Sequence, residues 1–354
     1  MHLAQVEDTG RITDPQTAAA TAGLRYVSAD DGGIARRRAG RGFSYADGDG
    51  ATIRDKATLT RIAKLAIPPA WRDVWICDRA NGHLQATGLD ARGRKQYRYN
   101  DEFRQLRESA KFEHILIFGQ VLPTIRATAA TDMARHGLPR EKVLATIVHL
   151  LETTLVRVGN KDYAKANGSY GLTTLREPHV EIHCGTLRFQ FRGKSGKTWK
   201  LKVQDRRVAK IVRACQDLPG QQLFQYLDDD GARQGVDSTD VNAYLKEITG
   251  CEITAKDFRT WFGTVAAAVA LHERGHCETA TETKKTEREI IAAVAGRLGN
   301  TPAVCRKCYV HPLVLSAYAD GALALRVSHG DADDKTKLSP EEAAVYRFLV
   351  GRLN

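Results

Sequence analysis

The hydrophobic period of this chain changes once, near residue 102, and that change limits the folds open to it. Before it, short alternating runs are separated by turn dipeptides; after it, apolar residues recur at helical spacing. In the first stretch, Leu24–Val27 reads as a strand, and Gly42–Tyr45 as another, following a glycine-flanked Arg36-Arg37-Arg38 loop. A short helix is expected over Lys56–Lys64, stopped ahead of Pro68-Pro69. Val74–Cys77, an Asn81-Gly82 turn, His83–Thr87, an Asp90–Gly93 turn and Lys95–Tyr99 then predict an antiparallel meander. Beyond residue 102, Val143, Leu144, Ile147, Leu151 and Leu155 form an apolar stripe, with Gly159 as its expected stop. A β-hairpin is expected from His179–Phe191, a Gly193–Gly196 turn and Thr198–Val203. Helices follow over 206–217 and 238–248, then one opened by Thr254 with Asp257, then Thr286–Leu298.

The fold class is therefore α+β. A disordered tail is expected over 1–22, an antiparallel β-rich domain over 23–102, and a mainly helical domain with one β-hairpin over 103–325. Residues 326–354 read as a linker, polar at Asp331–Lys337, and a last helix opened by Ser339-Pro340. No internal repeat is evident.

Composition narrows the partners. Lysine and arginine total 53 against 42 acidic residues, a formal charge of +11, which favours a polyanion: nucleic acid first, an anionic membrane surface second. No apolar run approaches the ~18 residues of a membrane span, and residues 1–21 lack the apolar stretch of a secretory signal. Seven scattered cysteines do not make a disulfide framework, so the reducing cytoplasm is the expected compartment.

Three local patterns point elsewhere and fail on context. Gly193–Thr198 ends like a phosphate-binding loop, but Phe191 stands where the pattern needs glycine and a strand follows instead of a helix. His272-Glu273-Arg274-Gly275-His276 spells a zinc-protease motif, yet Gly275 weakens the helix that would align the histidines. Cys305 and Cys308 have zinc-knuckle spacing with no second pair, and structural thiols fit better. No metal is expected.

Cutting and resealing a phosphodiester without metal makes specific demands. The nucleophile must also be a good leaving group, and a phenol, with a pKa of about 10, meets that need better than an alkyl alcohol. Arginine forks suit the charge that develops on the non-bridging oxygens, and a lysine can protonate the departing alkoxide. Candidates in suitable settings are Arg157 at a helix end, Lys194 in the hairpin turn, Arg259 in the first turns of a capped helix, and Tyr309 after Arg306-Lys307. Spacing alone does not select these from among 53 cations.

The motifs that contain them resemble the small, poxvirus-like type IB DNA topoisomerases in their bacterial branch. The resemblance spans about 23–325 and rests on Thr87–Tyr99, Arg157-Val158-Gly159 with Tyr163, Tyr170–Leu175, Gly193-Lys194, Lys256–Thr260, and Gly299–Pro302 with Tyr309. It implies a catalytic domain of the tyrosine recombinase/type IB topoisomerase kind, acting as a monomeric clamp on duplex DNA. It further implies relaxation of positive and negative supercoils without ATP or other cofactor, and work at the bacterial nucleoid. Tyr309 is implied as the nucleophile of a 3′-phosphotyrosyl intermediate. Arg157 and Arg259 are implied as the transition-state clamp, and Lys194 as the general acid, assisted by Lys256. Asn300 stands where poxviral members place histidine, so it keeps one donor and loses a charge. Arg94, Gln96, Tyr97, Tyr99 and Tyr163 correspond to DNA-contacting positions. Two rivals remain: a tyrosine recombinase, against which Lys256 stands where histidine is usual, and a non-catalytic DNA-binding protein.

Overall fold

The computed structural model describes residues 15–327 and 336–353, in two compact units divided between His114 and Ile115. The chain is mixed α+β with antiparallel sheets.

The first unit contains α1 (Pro15–Thr21), β1 (Ile34–Ala39), β2 (Gly42–Ala46), α2 (Lys56–Lys64), β3 (Arg72–Ile76), β4 (Leu84–Leu89) and β5 (Lys95–Tyr99). It also includes the first turns of α3 (Asp101–Asp132). The five strands form one sheet in the order β2-β1-β3-β4-β5. Ile34, Val74, Ile76 and Ala86 on the sheet pack with Ile62 of α2. That burial, along with the Asp55 carboxylate accepting from the Thr58 amide (2.8 Å), holds a helix of only nine residues.

Four expectations for this unit change. Arg36–Arg38 lie in β1 and not in a loop, because the Arg36 guanidinium has acceptors: it donates to the carbonyls of Pro68 (3.2 Å) and Trp71 (2.6 Å). Leu24–Val27 is not a strand, although Leu24 and Val27 are buried. The expected tail over 1–22 contains α1, whose Ala18 and Ala19 pack on Leu24 and Phe103; residues 1–14 lie outside the described residues. The same contact explains why the division falls inside α3 and not near 102: Phe103, in the helix's first turn, belongs to the first unit's core.

The second unit comprises the rest of α3, α4 (Arg140–Thr154), α5 (Lys161–Asn167), β6 (Val180–His183), β7 (Thr186–Arg192) and β8 (Thr198–Gln204). It continues through α6 (Arg206–Gln216), β9 (Gln225–Leu227), β10 (Arg233–Gly235), α7 (Ser238–Thr249), α8 (Ala255–Arg274), α9 (Ala280–Leu298), α10 (Pro302–Cys308), α11 (Pro312–Ala319) and α12 (Pro340–Leu353). One core runs through it, in which Val143, Leu144, Ile147 and Leu151 of α4 and Phe258 and Leu271 of α8 are buried.

The single expected hairpin is a three-stranded sheet, β6-β7-β8, and β9–β10 adds a short antiparallel pair. Cys184 and Gly185 both adopt left-handed φ (47° and 76°), so the run His179–Phe191 folds back on itself. α4 stops at Thr154, short of Gly159, with Leu155 left-handed at φ 58°. α9 starts at Ala280, ahead of the expected Thr286, capped by the Thr279 hydroxyl accepting from Glu282 (3.2 Å). α12 joins the core through Ala344, Val345 and Leu349. Its Glu342 pairs with Arg126 (2.9 Å) and accepts from the Trp261 indole (3.0 Å), so the C-terminal helix braces α8. The linker expected over Asp331–Lys337 falls mostly outside the described residues. Among the described residues no helix is long and apolar enough to cross a membrane.

Two of the three misleading motifs take the shapes their contexts imply. Lys194–Gly196 leads into strand β8, and α8 ends at Arg274, so His272 and His276 do not share a helical face.

Candidate active site

Arg259 lies five residues into α8, with only 3% of its surface exposed. A buried cation needs acceptors, and two helix C-termini supply them, where carbonyls are unpaired and carry partial negative charge. The guanidinium donates to the carbonyl of Leu155, at the end of α4, and to that of Leu298 (2.6 Å), the last residue of α9. Its Nε–H has no hydrogen-bond acceptor among the described residues. Burial pulls the Arg259 pKa down while the nearby Tyr309 phenol opposes that shift.

Leu155 turns the chain so that Arg157 follows two residues later, with its backbone clamped. The Arg157 carbonyl accepts from the Leu172 amide (2.9 Å), and a Cβ at Gly171 would sit 2.5 Å from that oxygen, so the 157 and 171 strands touch directly. The Arg157 side chain donates to Asn300 Oδ1. A guanidinium can only donate, so the amide oxygen of Asn300 must face it and the NH₂ must face away. Gly299, left-handed at φ 63°, closes α9, and the Asn300 amide reaches back to the Ala295 carbonyl (2.9 Å). Asn300 Nδ2, like Arg259 Nε, is buried with no partner among the described residues. The Arg157 pKa is lowered first by burial and then by the positive charge of Arg259. Two neighbouring desolvated cations and two buried donors without partners among the described residues form a cradle complementary to an anion.

Tyr309 completes this cluster. Its ring centroid is 5.2 Å from the Arg259 guanidinium carbon. It ends α10, its amide bonded to the Cys305 carbonyl (2.9 Å), and α10 is tied to α9 by the Arg306–Glu287 ion pair (2.7 Å). α8 fixes its height. Thr264 Oγ1 donates to the Tyr309 carbonyl (3.3 Å), and a Cβ on Gly263 would meet that oxygen at 2.5 Å. Gly263 is needed for space alone, so Gly263→Ala must push Tyr309 off its position. The expected result is a fall of on the order of 10- to 100-fold in single-turnover DNA cleavage, with the far-UV spectrum retained. An unchanged rate would show that α8 does not place Tyr309. Sequence reasoning passed over Gly263, although a glycine within a long apolar helix is itself a sign of close approach. Cys305, fully buried beneath this segment, has its thiol pushed up to about 11 by burial, which suits a packing role and not a reactive one.

The structure thus brings together Arg157, Arg259, Asn300 and Tyr309, which lie on four separate elements. It does not bring in the two lysines. Lys194 opens the short helical turn between β7 and β8, and Lys256 sits in the first turn of α8; both are exposed, and neither ammonium makes a hydrogen bond among the described residues.

In the first unit, Tyr97 and Tyr99 share one exposed face of β5, their rings stacked at 6.0 Å, with Tyr99 also stacked on Phe103. Gln96 points to the opposite face. There its amide and the Arg94 guanidinium both bind the Asp90 carboxylate (3.0 and 2.8 Å). Arg94 is the main cause of an Asp90 pKa held at about 2. In the second unit Tyr163 is exposed on α5, its amide capped by Asn160 Oδ1 (3.0 Å).

Comparison with known proteins agrees with this geometry. The family described as "Eukaryotic DNA topoisomerase I, catalytic core" matches residues 100–332, and "Bacterial DNA topoisomerase IB, N-terminal domain" matches 42–90. The chain is 33% identical over 293 residues to the DNA topoisomerase 1B of Acanthamoeba polyphaga mimivirus, covering 81% of this chain and 87% of the viral protein. It is 20% identical over 273 residues to the DNA topoisomerase I of monkeypox virus and to the DNA topoisomerase 1B of vaccinia virus (strain Copenhagen). In both cases 75% of this chain and 83% of the relative are covered. A tyrosine beside paired, anion-seeking arginines and a family match over most of the sequence lead to one assignment: the chain belongs to the type IB DNA topoisomerases.

Proposed function

We propose that the protein relaxes positive and negative supercoils by a reversible transesterification centred on Tyr309. The phenolic oxygen attacks a backbone phosphorus and gives up its proton to solvent. The bond to the 5′ oxygen breaks, leaving a 3′-phosphotyrosyl ester and a 5′-hydroxyl. Arg157, Arg259 and Asn300 donate to the non-bridging oxygens, where charge develops. Lys194, assisted by Lys256, protonates the departing 5′ oxygen. Resealing is the reverse reaction; the ester conserves the bond, so no ATP, metal or other cofactor is required. The observation that carries this reading is the pair of buried donors without a partner among the described residues, Arg259 Nε and Asn300 Nδ2, beside Tyr309 and Arg157.

The test is plasmid relaxation in EDTA without ATP, on substrates supercoiled in each sense, with a denaturant quench to trap protein joined to DNA. Relaxation of both senses with a trapped adduct is expected. A requirement for magnesium or ATP would overturn the reading.

The monomer is proposed to grip duplex DNA with both units, acting on chromosomal DNA in the cytoplasm. Tyr97, Tyr99 and Tyr163 present exposed rings to the duplex, whereas Arg94 and Gln96, bound to Asp90, contact it only on releasing that carboxylate. Most contacts should be to phosphates, given the charge of +11. Affinity is therefore expected to fall by on the order of 1,000-fold or more between 50 and 200 mM salt. Equilibrium binding to a duplex across that range checks it; a flat response would mean that phosphate contacts do not dominate.

A further inference from the structure

The lysine proposed as general acid sits on an exposed turn that its own backbone holds only weakly. The Gly193 amide bonds to the Lys197 carbonyl (2.8 Å) and the Gly196 amide to the Gly193 carbonyl (3.1 Å), and Ser195 and Gly196 are both left-handed. Residues 194–198 are exposed. Such a turn, left alone, would present the ammonium over a wide range of positions. The next residue, Trp199, is buried to 7% exposure, opposite Phe191 on the neighbouring strand, with the two rings stacked at 6.4 Å.

The indole fills the gap between two glycines. A Cβ on Gly193 would lie 2.6 Å from Trp199 Cδ1 and Nε1, and a Cβ on Gly299 would run into Cζ2 on the other end of the ring system. Gly193 has extended backbone (φ −96°, ψ −168°) open to any residue, so space is what excludes a side chain there. One of these glycines directly precedes Lys194, and the other directly precedes Asn300. A second tie runs alongside: Lys197 Nζ donates to the Gly296 carbonyl (3.1 Å) in the last turn of α9.

We propose that Trp199 is a positioning residue, fixing the Lys194 turn to the end of α9 that carries Asn300. The proposal rests on the acid role given above to Lys194. Acid and anion receptacle then share one reference point. As the Tyr309 oxygen bonds to phosphorus and the 5′ oxygen leaves, a Lys194 held in this frame gives its proton to that oxygen. Displacement by about 1 Å can cost on the order of 100-fold in rate, and Gly193, packed on the Trp199 indole, is the one buried residue among 193–198.

The test separates placement of the acid from general structural damage. Single-turnover cleavage is measured on two duplexes that differ only in the atom bridging phosphorus and the 5′ carbon, oxygen in one and sulfur in the other. A thiolate, whose conjugate acid has a pKa of about 8.5, departs without a proton. Trp199→Ala is expected to slow cleavage of the oxygen substrate on the order of 100-fold and to lose most of that defect on the sulfur substrate. Trp199→Phe, which keeps a smaller ring, is expected to fall between it and the parent, and remains informative if the alanine variant fails to fold. Lys194→Ala should be rescued by sulfur in the same way, and Asn300→Ala should not. Rescue of Lys194→Ala without rescue of either Trp199 variant would overturn the positioning role alone. Failure of sulfur to rescue Lys194→Ala would overturn the acid assignment and the positioning role with it.

Discussion

Tyr309→Phe is expected to abolish supercoil relaxation and the denaturant-trapped adduct together, while DNA affinity stays near that of the parent. The substitution removes the phenolic oxygen and with it the side-chain hydrogen bond to Arg259. The ring remains at its 5.2 Å station beside Arg259, and the backbone contacts that set its height, Thr264 to the Tyr309 carbonyl and α8 against it at Gly263, do not involve the phenol. The receptacle formed by Arg157, Arg259 and Asn300 stays intact, so a phosphate can still be held with no oxygen to attack it. A general acid–base defect would leave a slow reaction, typically reduced by about 10²–10⁴. Loss of the nucleophile leaves no route to the ester at all. Gel relaxation assays at rising protein concentration, with filter binding in parallel, distinguish the two. Relaxation by the phenylalanine variant at a measurable fraction of the parent rate would mean that another hydroxyl carries the reaction.

How much of this was legible before the fold was known depended on the range of the interaction involved. Elements set by local rules were readable: α2 occupies Lys56–Lys64, and β5 occupies Lys95–Tyr99, because caps, prolines and turn dipeptides act over a few residues. Elements set by distant contacts were not. Leu155 takes a left-handed conformation where Gly159 looked the better stop, and the Arg259 guanidinium that donates to its carbonyl is 104 residues away. The arginines of β1 looked like a loop because the carbonyls that satisfy Arg36 lie some thirty residues on, at Pro68 and Trp71. At the site the limit was similar. The tyrosine and both arginines were picked out through family motifs, and spacing would not have chosen them. Trp199 and Gly263 lie in no motif, and only their packing against Gly193, Gly299 and Tyr309 reveals them. Gln96 illustrates the reverse: its motif grouped it with Tyr97 and Tyr99, but strand alternation turns it to the other face, onto Asp90.

Arg259→Lys is expected to lower both the cleavage rate and the stability, and the combination follows from how the guanidinium is used. Each of its two terminal nitrogens donates to a carbonyl, Leu155 or Leu298, which close α4 and α9, while Nε is buried with no partner among the described residues and is open to a substrate oxygen. A lysine keeps the charge, but its three donors radiate from one atom and cannot span two helix ends while also presenting a donor to phosphate. Loss of the transition-state donor should reduce single-turnover cleavage by on the order of 10²–10³. A helix-end carbonyl left unsatisfied in the interior should lower the unfolding free energy by about 1–3 kcal/mol. Asn300→Ala supplies the contrast. Its Nδ2 bonds to nothing among the described residues, so removing it should slow cleavage with a much smaller change in stability, limited to the acceptor lost by Arg157. Denaturant unfolding and adduct formation measured on all three proteins separate the two roles of Arg259. A slowed reaction with undiminished stability would show that Arg259 does not pin the helix ends. Lowered stability with an undiminished rate, measured on fully folded protein, would show that its Nε donor never meets the phosphate.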